Sequence, residues 1–296
     1  MPMPGERLAA TVQRLDAIID DAASADDRRA IFPAMYRSVT ATVQEAVTEG
    51  GFFDDDGRME EMTAGFADLY FTAYDAHAGT GPVPACWGMA FDAAASPRYM
   101  ILQHLLLGMN AHINHDLGIA TARVGREALE TVYTDFIRVN EILFLLLDDL
   151  QGALSEVSPR MRMLDRVGLC IDEAFMRLGI RTARDLAWHF AERLAGSEAP
   201  EIEIGERDED AARVGRLIVR TWSPLSIAAR FVASKEDRPM TEVVEAMRSV
   251  DIDLEIVERR VTVEKDRSPL PARPLRSVVA RPHVAASFGR TRPGVR

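Results

Sequence analysis

Three of the six histidines in this chain fall within one short stretch, at His104, His112 and His115, and Asp116 follows directly. Imidazole and carboxylate groups transfer protons and bind transition metals, so this cluster predicts a functional site. On an α-helix with about 100° per residue, the histidines share an arc of roughly 80°, with Asp116 at its margin. Gly108 lies on the same arc and predicts a gap where a ligand could approach.

Amide and indole groups accompany this cluster. Gln103, Asn110 and Asn114 form a second narrow stripe on the same predicted helix, and Trp87 precedes it. Such side chains hydrogen-bond to a ligand without titrating. We expect these four residues to bind and orient a small-molecule substrate.

One acidic residue also stands out, because Glu141 directly precedes the most apolar run of the chain, Ile142–Leu147. A buried carboxylate costs several kcal/mol unless it has a partner. We therefore expect Glu141 to face His112 and Asp116 across a cleft.

A first interpretation is a metal-dependent hydrolase acting on a small polar or phosphorylated substrate. His112 and Asp116 lie one helical turn apart and His115 is adjacent, so these three could bind one divalent metal, with a further acid from Glu141 or Asp148. Imidazole and carboxylate ligands suit zinc, iron or manganese, any of which would activate water.

A second interpretation needs no metal. His104 and His112 are two turns apart, about 12 Å, which is too far to share an ion. They could act as acid and base on a bound molecule, with Glu141 as a further catalytic group, in an elimination, cyclisation or isomerisation of secondary metabolism. A third interpretation is a helical scaffold or binding protein without catalysis, whose polar groups satisfy one another.

The element that must position the cluster is a helix over Tyr99–Leu117. Pro97 precedes it at a favoured helix start, and Gly118 predicts its end. Outside the polar stripes its surface is apolar, which predicts a central, buried helix.

Apolar residues recur at helical spacing along most of the remaining chain. This predicts an all-α, helical-bundle-like single domain over residues 1–266, followed by a flexible basic tail rich in Pro and Arg over 267–296. An alternating segment, Val250–Val263, predicts a hairpin remnant or a further helix. The other predicted helices are Glu6–Ala23, Asp26–Glu49, Arg58–His77, Trp87–Ala94, Arg126–Leu150, Met161–Leu178, Thr182–Leu194, Glu206–Arg220 and Pro239–Arg248, with a polar connector at Gly196–Gly205.

Composition narrows the class of protein. The net charge of −11 argues against a nucleic-acid partner. No apolar run is long enough to span a bilayer, and the N-terminus has no basic-then-apolar leader pattern. Cys86 and Cys170 lack metal-type or redox-type spacing, which favours reduced thiols in the cytoplasm. The sequence does not address the oligomeric state.

The segment LLLGMNAHINHDL at Leu105–Leu117, together with Trp87 and Phe91, resembles an uncharacterised family of bacterial, largely actinobacterial, all-helical proteins. The likeness covers about Ile31–Phe190. It implies a helical fold and a fixed set of His104, His112 and Asp116, with His115 at a variable position, but no activity. The arrangement of histidines and an aspartate on adjacent helical turns is also similar, at the level of class only, to helical zinc-dependent phospholipases and nucleases.

Overall fold

The protein, in a computed structural model, is described over residues 3–126, 128–158, 173–220 and 223–248, together with 254, 256 and 257. No strand occurs in these ranges, which confirms the predicted all-α fold class. The α-helices are α1 (Glu6–Ser24), α2 (Ile31–Glu49), α3 (Asp56–Ala78), α4 (Ala85–Ala94), α5 (Ile101–Ala111), α6 (Leu117–Val124), α7 (Tyr133–Val157), α8 (Glu173–Ala195), α9 (Pro200–Val219), α10 (Ser223–Ala233) and α11 (Met240–Arg248). Short 3₁₀ turns at Arg28–Ala30 and Leu129–Val132 lead into α2 and α7.

The predicted central helix is buried along nearly its whole length. From Ile101 to Leu117, all residues except Leu106 and Asn114 are buried. Helices α2, α3, α4, α8 and α9 pack around the unit formed by α5, a π-helical turn at His112–Asp116, and α6. A helix covered on every side must be apolar over most of its circumference, which explains why its polar stripes are so narrow.

The end predicted for this helix at Gly118 is wrong. The helix runs on to Val124, and Gly125 follows it. Gly118 instead permits close packing, because a Cβ there would lie 2.5 Å from Phe190 Cδ1 and 2.8 Å from the Ala187 carbonyl oxygen of α8. The glycine thus fixes an approach between helices.

Several other predicted boundaries also differ from the structure. The break predicted between Leu178 and Thr182 is wrong, because α8 runs without interruption from Glu173 to Ala195. The connector over Gly196–Gly205 is shorter, because Pro200 occupies the favoured first position of α9 and Glu201 and Glu203 complement the helix dipole there. Helix α7 begins at Tyr133, later than predicted, because the 3₁₀ turn at Leu129–Val132 precedes it.

The remaining predictions concern the C-terminal third and the segment before α8. In the alternating segment Val250–Val263, the described residues Leu254, Ile256 and Val257 are helical, in agreement with the helix alternative. Most of the predicted helix Met161–Leu178 and the whole basic tail 267–296 lie outside the described residues. In the part of the chain that the structure describes, no helix is long and apolar enough to cross a membrane.

Candidate functional site

The site is built on a change of helical geometry. Helix α5 ends at Ala111, and the next five residues, His112–Asp116, form a π-helical turn before α6 resumes the α-helix. A π turn closes hydrogen bonds one residue further along the chain than an α turn, and such turns are frequent at functional sites. The uniform 100° spacing assumed from the sequence therefore fails at the histidine cluster itself.

Within this turn, Asp116 is a buried carboxylate that binds two histidines. Its side chain is 1% exposed, with the Nδ1 atom of His112 3.0 Å from Oδ2 and the Nδ1 atom of His115 2.7 Å from Oδ1. The indole N–H of Trp87 donates to Oδ2 over 2.9 Å. Because an ionised carboxylate only accepts hydrogen bonds, both histidines must donate from Nδ1.

The protonation states follow from burial and these hydrogen bonds. Burial alone would raise the pKa of Asp116, but the hydrogen bonds from His112 and His115 outweigh it and hold that pKa below its ordinary value. Burial lowers the pKa of His112, and the nearby carboxylate offsets this only in part. The pair therefore consists of an ionised Asp116 and a neutral His112 at neutral pH.

The other edge of the His112 ring has a different environment. Its Nε2 atom is buried and has no hydrogen-bond partner among the described residues. Phe66 stacks on the ring with a centroid distance of 3.5 Å, and Tyr36 contacts it edge-on at 4.4 Å. His112 and these two aromatic residues line a cavity of about 40 Å³, with α7 contributing Val139, Asn140 and Leu143.

His104 does not share this cavity, because Phe32 of α2 lies between the two histidines. The ring base of Phe32 packs directly on Gly108: a Cβ at that glycine would lie 2.5 Å from Phe32 Cγ. Phe32 therefore makes a close approach to Gly108, and Gly108 also lines the cavity that His104 lines. His104 lines a second, smaller cavity on the other side, and Phe32 is common to the walls of both.

The amide side chains predicted to bind substrate are engaged within the protein. Gln103 donates to the Ile218 carbonyl and Asn110 donates to the Ala211 carbonyl, both over 2.9 Å. Asn114 donates to Asn110 Oδ1 over 3.1 Å. None of the three lines either cavity, so their positions support a role in holding α9 against the central helix.

Glu141 also differs from the prediction. It is 3% exposed, and its Oε1 lies 3.8 Å from Nη1 of Arg184 on α8. The residues of α7 that reach the His112 cavity are Val139, Asn140 and Leu143, and Glu141 points about 100° away from its neighbour Asn140 around the helix. Glu141 therefore does not join His112 and Asp116. The side chain of Asp148, the alternative acid, lies outside the described residues.

These positions also bear on the predicted metal site. Both oxygens of Asp116 are occupied by histidine Nδ1 atoms, and the two rings approach the carboxylate rather than a common point. Among the described residues, no three His, Cys, Asp or Glu side chains are arranged to hold a metal ion. The donor set around His112, His115 and Asp116 is a hydrogen-bonded cluster.

Several residues of the site carried too weak a signal in the sequence. Phe66 and Tyr36 are aromatic residues of two predicted helices, and nothing in the sequence relates their positions to His112. The spacing of Phe32 and Tyr36, four residues apart on one helix, was the available signal that two aromatic rings share a face. Arg28, which reaches the second cavity, had none.

The fold and cluster define an all-helical protein with a buried His–Asp pair beside a cavity. Residues 8–221 match a family model described as a family of unknown function (DUF5995), and the chain belongs to that family. The match agrees with the predicted resemblance to an uncharacterised family and extends beyond the segment that suggested it. No curated protein and no solved structure matches the chain.

Proposed function

We propose that this protein is an enzyme in which His112 acts as a metal-independent general base on a small, mainly apolar substrate. One observation carries the proposal: Nδ1 of His112 is held by Asp116 while Nε2 has no partner on a ring that lines a cavity. This is the second of the three interpretations drawn from the sequence, now with His112 as the central group.

The hydrogen bond to Asp116 supports catalysis in two ways. It fixes the tautomer that carries its proton on Nδ1, so that Nε2 presents a lone pair. It also places a negative charge beside the imidazolium that forms when His112 accepts a proton. A lowered pKa keeps the histidine neutral, and hence basic, at neutral pH.

The walls of the cavity indicate the kind of substrate and reaction. Its lining is mainly apolar and aromatic, and its size of about 40 Å³ leaves room for about three water-sized groups. Burial raises the pKa of Tyr36, so its phenol stays protonated and can donate a hydrogen bond to oxygen in a substrate. Removal of a proton from carbon, followed by elimination or isomerisation, fits such a setting.

The two other interpretations are less well supported. A metal-dependent hydrolase needs converging ligands, whereas here the carboxylate is occupied by two histidines and an indole. A scaffold explains the hydrogen bonds of Asp116 but gives no reason for the unpartnered Nε2 of His112.

Nitromethane, the smallest nitroalkane carbon acid, provides a test that suits the size of the cavity. A base removes the α-hydrogen, and in D₂O the resulting nitronate takes up deuterium, which NMR detects. We expect the parent protein to exceed free imidazole at equal concentration, and His112→Gln to lose about 10²-fold or more of that rate. The rate should persist below pH 6.5, the ordinary pKa of histidine, because the pKa of His112 is lowered.

The matched control is His189→Gln, since His189 is half-exposed on α8 and pairs with Glu192. It should exchange deuterium like the parent. Circular dichroism and melting curves establish that each variant is folded. A parent rate no greater than that of imidazole, or a folded His112→Gln variant with the parent rate, would refute the proposal. In that case the scaffold interpretation takes its place.

A further inference from the structure

A second small cavity lies on the opposite side of Phe32 from the His112 cavity. Its volume is about 20 Å³, and the side chains that give it polar character are Arg28, Arg29, Tyr70 and His104. His112 does not line this cavity, so a ligand here is independent of the proposed function.

Hydrogen-bonding groups at this cavity lack partners within the protein. Tyr70 is 0% exposed and its hydroxyl has no hydrogen-bond partner among the described residues. The same holds for both ring nitrogens of His104, which is 5% exposed, and for Nε of Arg28. Buried polar groups are nearly always hydrogen-bonded, so an unpartnered set around one cavity indicates that a bound water or ligand supplies the partners.

The charge at the cavity has one sign. Asp27 pairs with Arg29 and neutralises it locally, whereas Arg28 forms no ion pair within 4.0 Å among the described residues and has only a longer-range attraction to Glu236. None of the side chains lining the cavity is acidic. Burial and the charge of Arg28 lower the pKa of His104 to about 4. The Tyr99 backbone carbonyl and the Asp27 charge oppose this weakly, and the carbonyl does not meet the geometry of a hydrogen bond to either ring nitrogen.

The groups facing the cavity therefore act as hydrogen-bond donors. Burial raises the pKa of Tyr70 well above its ordinary value, so its hydroxyl keeps the proton. A neutral His104 supplies one N–H, and Arg28 supplies Nε–H with a full positive charge. Three donors and one positive charge favour an anion over a cation.

We propose that the cavity between Arg28, Tyr70 and His104 binds a small monovalent anion, of the size of chloride or formate. A volume of about 20 Å³ holds one or two water-sized groups and excludes a tetrahedral oxyanion such as sulfate. The anion accepts hydrogen bonds from Tyr70 and His104 and neutralises the charge of Arg28.

The experiment compares chloride, formate and sulfate at matched ionic strength, with the full chain and melting temperature as the first readout. We expect chloride or formate to raise the melting temperature with a saturating dependence on concentration, and sulfate to give no saturating increase. As a second readout, the imidazole nitrogen signals of His104 in NMR should shift with the same saturation curve. Formate binding without chloride binding identifies a carboxylate site, and binding of both identifies a general monovalent-anion site.

Variants test the assignment of the donors. Arg28→Gln and Tyr70→Phe should each weaken binding at least tenfold. Arg123→Gln is the matched control: it removes the same charge from an exposed residue of α6 and should bind like the parent. If Arg28→Gln does not fold, the conservative Tyr70→Phe variant decides alone. Stabilisation that follows ionic strength whatever the anion, or equal binding by the parent and the folded variants, overturns the proposal.

Discussion

Gly108→Ala tests how the close approach of Phe32 to the central helix affects the free energy of unfolding. Alanine is favoured over glycine inside a helix by about 1 kcal/mol, so this change alone would stabilise the protein. Here the new Cβ would meet Phe32 Cγ, Cβ and Cδ2 at 2.5, 2.6 and 2.7 Å. These atoms are the base of the side chain, so rotation of the ring cannot relieve the clash and α2 must move. Such overpacking costs about 1–3 kcal/mol in the free energy of unfolding. We expect a cost near the upper end of that range, because the clashing atoms of Phe32 are close to the backbone of α2.

The net expectation is a loss of about 2 kcal/mol in the free energy of unfolding, from a cost of about 3 and a gain of about 1. For a chain of 296 residues, with an unfolding entropy of about 2.1 cal/mol/K per residue, that corresponds to a melting temperature lower by about 3 °C. Urea denaturation and calorimetry measure both quantities. The control is Gly205→Ala on α9, an exposed helical glycine with nothing within 4 Å of the new Cβ, which should stabilise by about 1 kcal/mol. If Gly108→Ala is as stable as the control variant, the packing described for Phe32 is incorrect.

Two further predictions concern buried carboxylates. Burial raises the pKa of Glu236, which accepts hydrogen bonds from Ser158 Oγ and Ile101 N. Because the folded pKa is raised, the favourable contribution of Glu236 is complete below the ordinary pKa of 4.5 and is lost as pH rises through the folded pKa. In urea titrations, Glu236→Gln should therefore gain stability relative to the parent between pH 4.5 and 7. A difference in stability that stays constant over this range would contradict the prediction. Asp135 accepts from the backbone N–H groups of Asp54 and Asp55, so Asp135→Ala should lower the free energy of unfolding by about 1–3 kcal/mol, and an unchanged urea midpoint would refute that role.

The architecture around the site could be predicted because it depends on local periodicity. Tyr99–Leu117 has apolar residues on nearly every face, which predicts a helix surrounded by other helices. The structure has that arrangement. The proximity of His112 to Asp116 was equally local, since one turn separates them. Sequence spacing alone can therefore predict hydrogen bonds between residues of one helix.

The parts that failed depend on which helix packs against which face. Gly108 signals a close approach but does not say whether a ligand or Phe32 makes it. Asn110 has the same polarity whether it binds a substrate or the Ala211 carbonyl. The sequence left open whether Glu141 is exposed or faces the histidines, and the structure buries it beside Arg184 of α8, which the periodicity of α7 cannot identify.

The unpartnered nitrogens decide how the two cavities are best interpreted. A histidine kept only for packing should satisfy both ring nitrogens, because a buried polar group without a partner costs about 1–3 kcal/mol. His115 and His112 bind the same carboxylate, yet only His112 has a buried unpartnered nitrogen and a place in a cavity wall. His104 shows the same combination on the other side of Phe32. A bound molecule at each cavity would supply the missing hydrogen bond and remove that cost. Since Phe32 lines both cavities, a shift of its ring in Gly108→Ala should alter deuterium exchange at one and anion binding at the other.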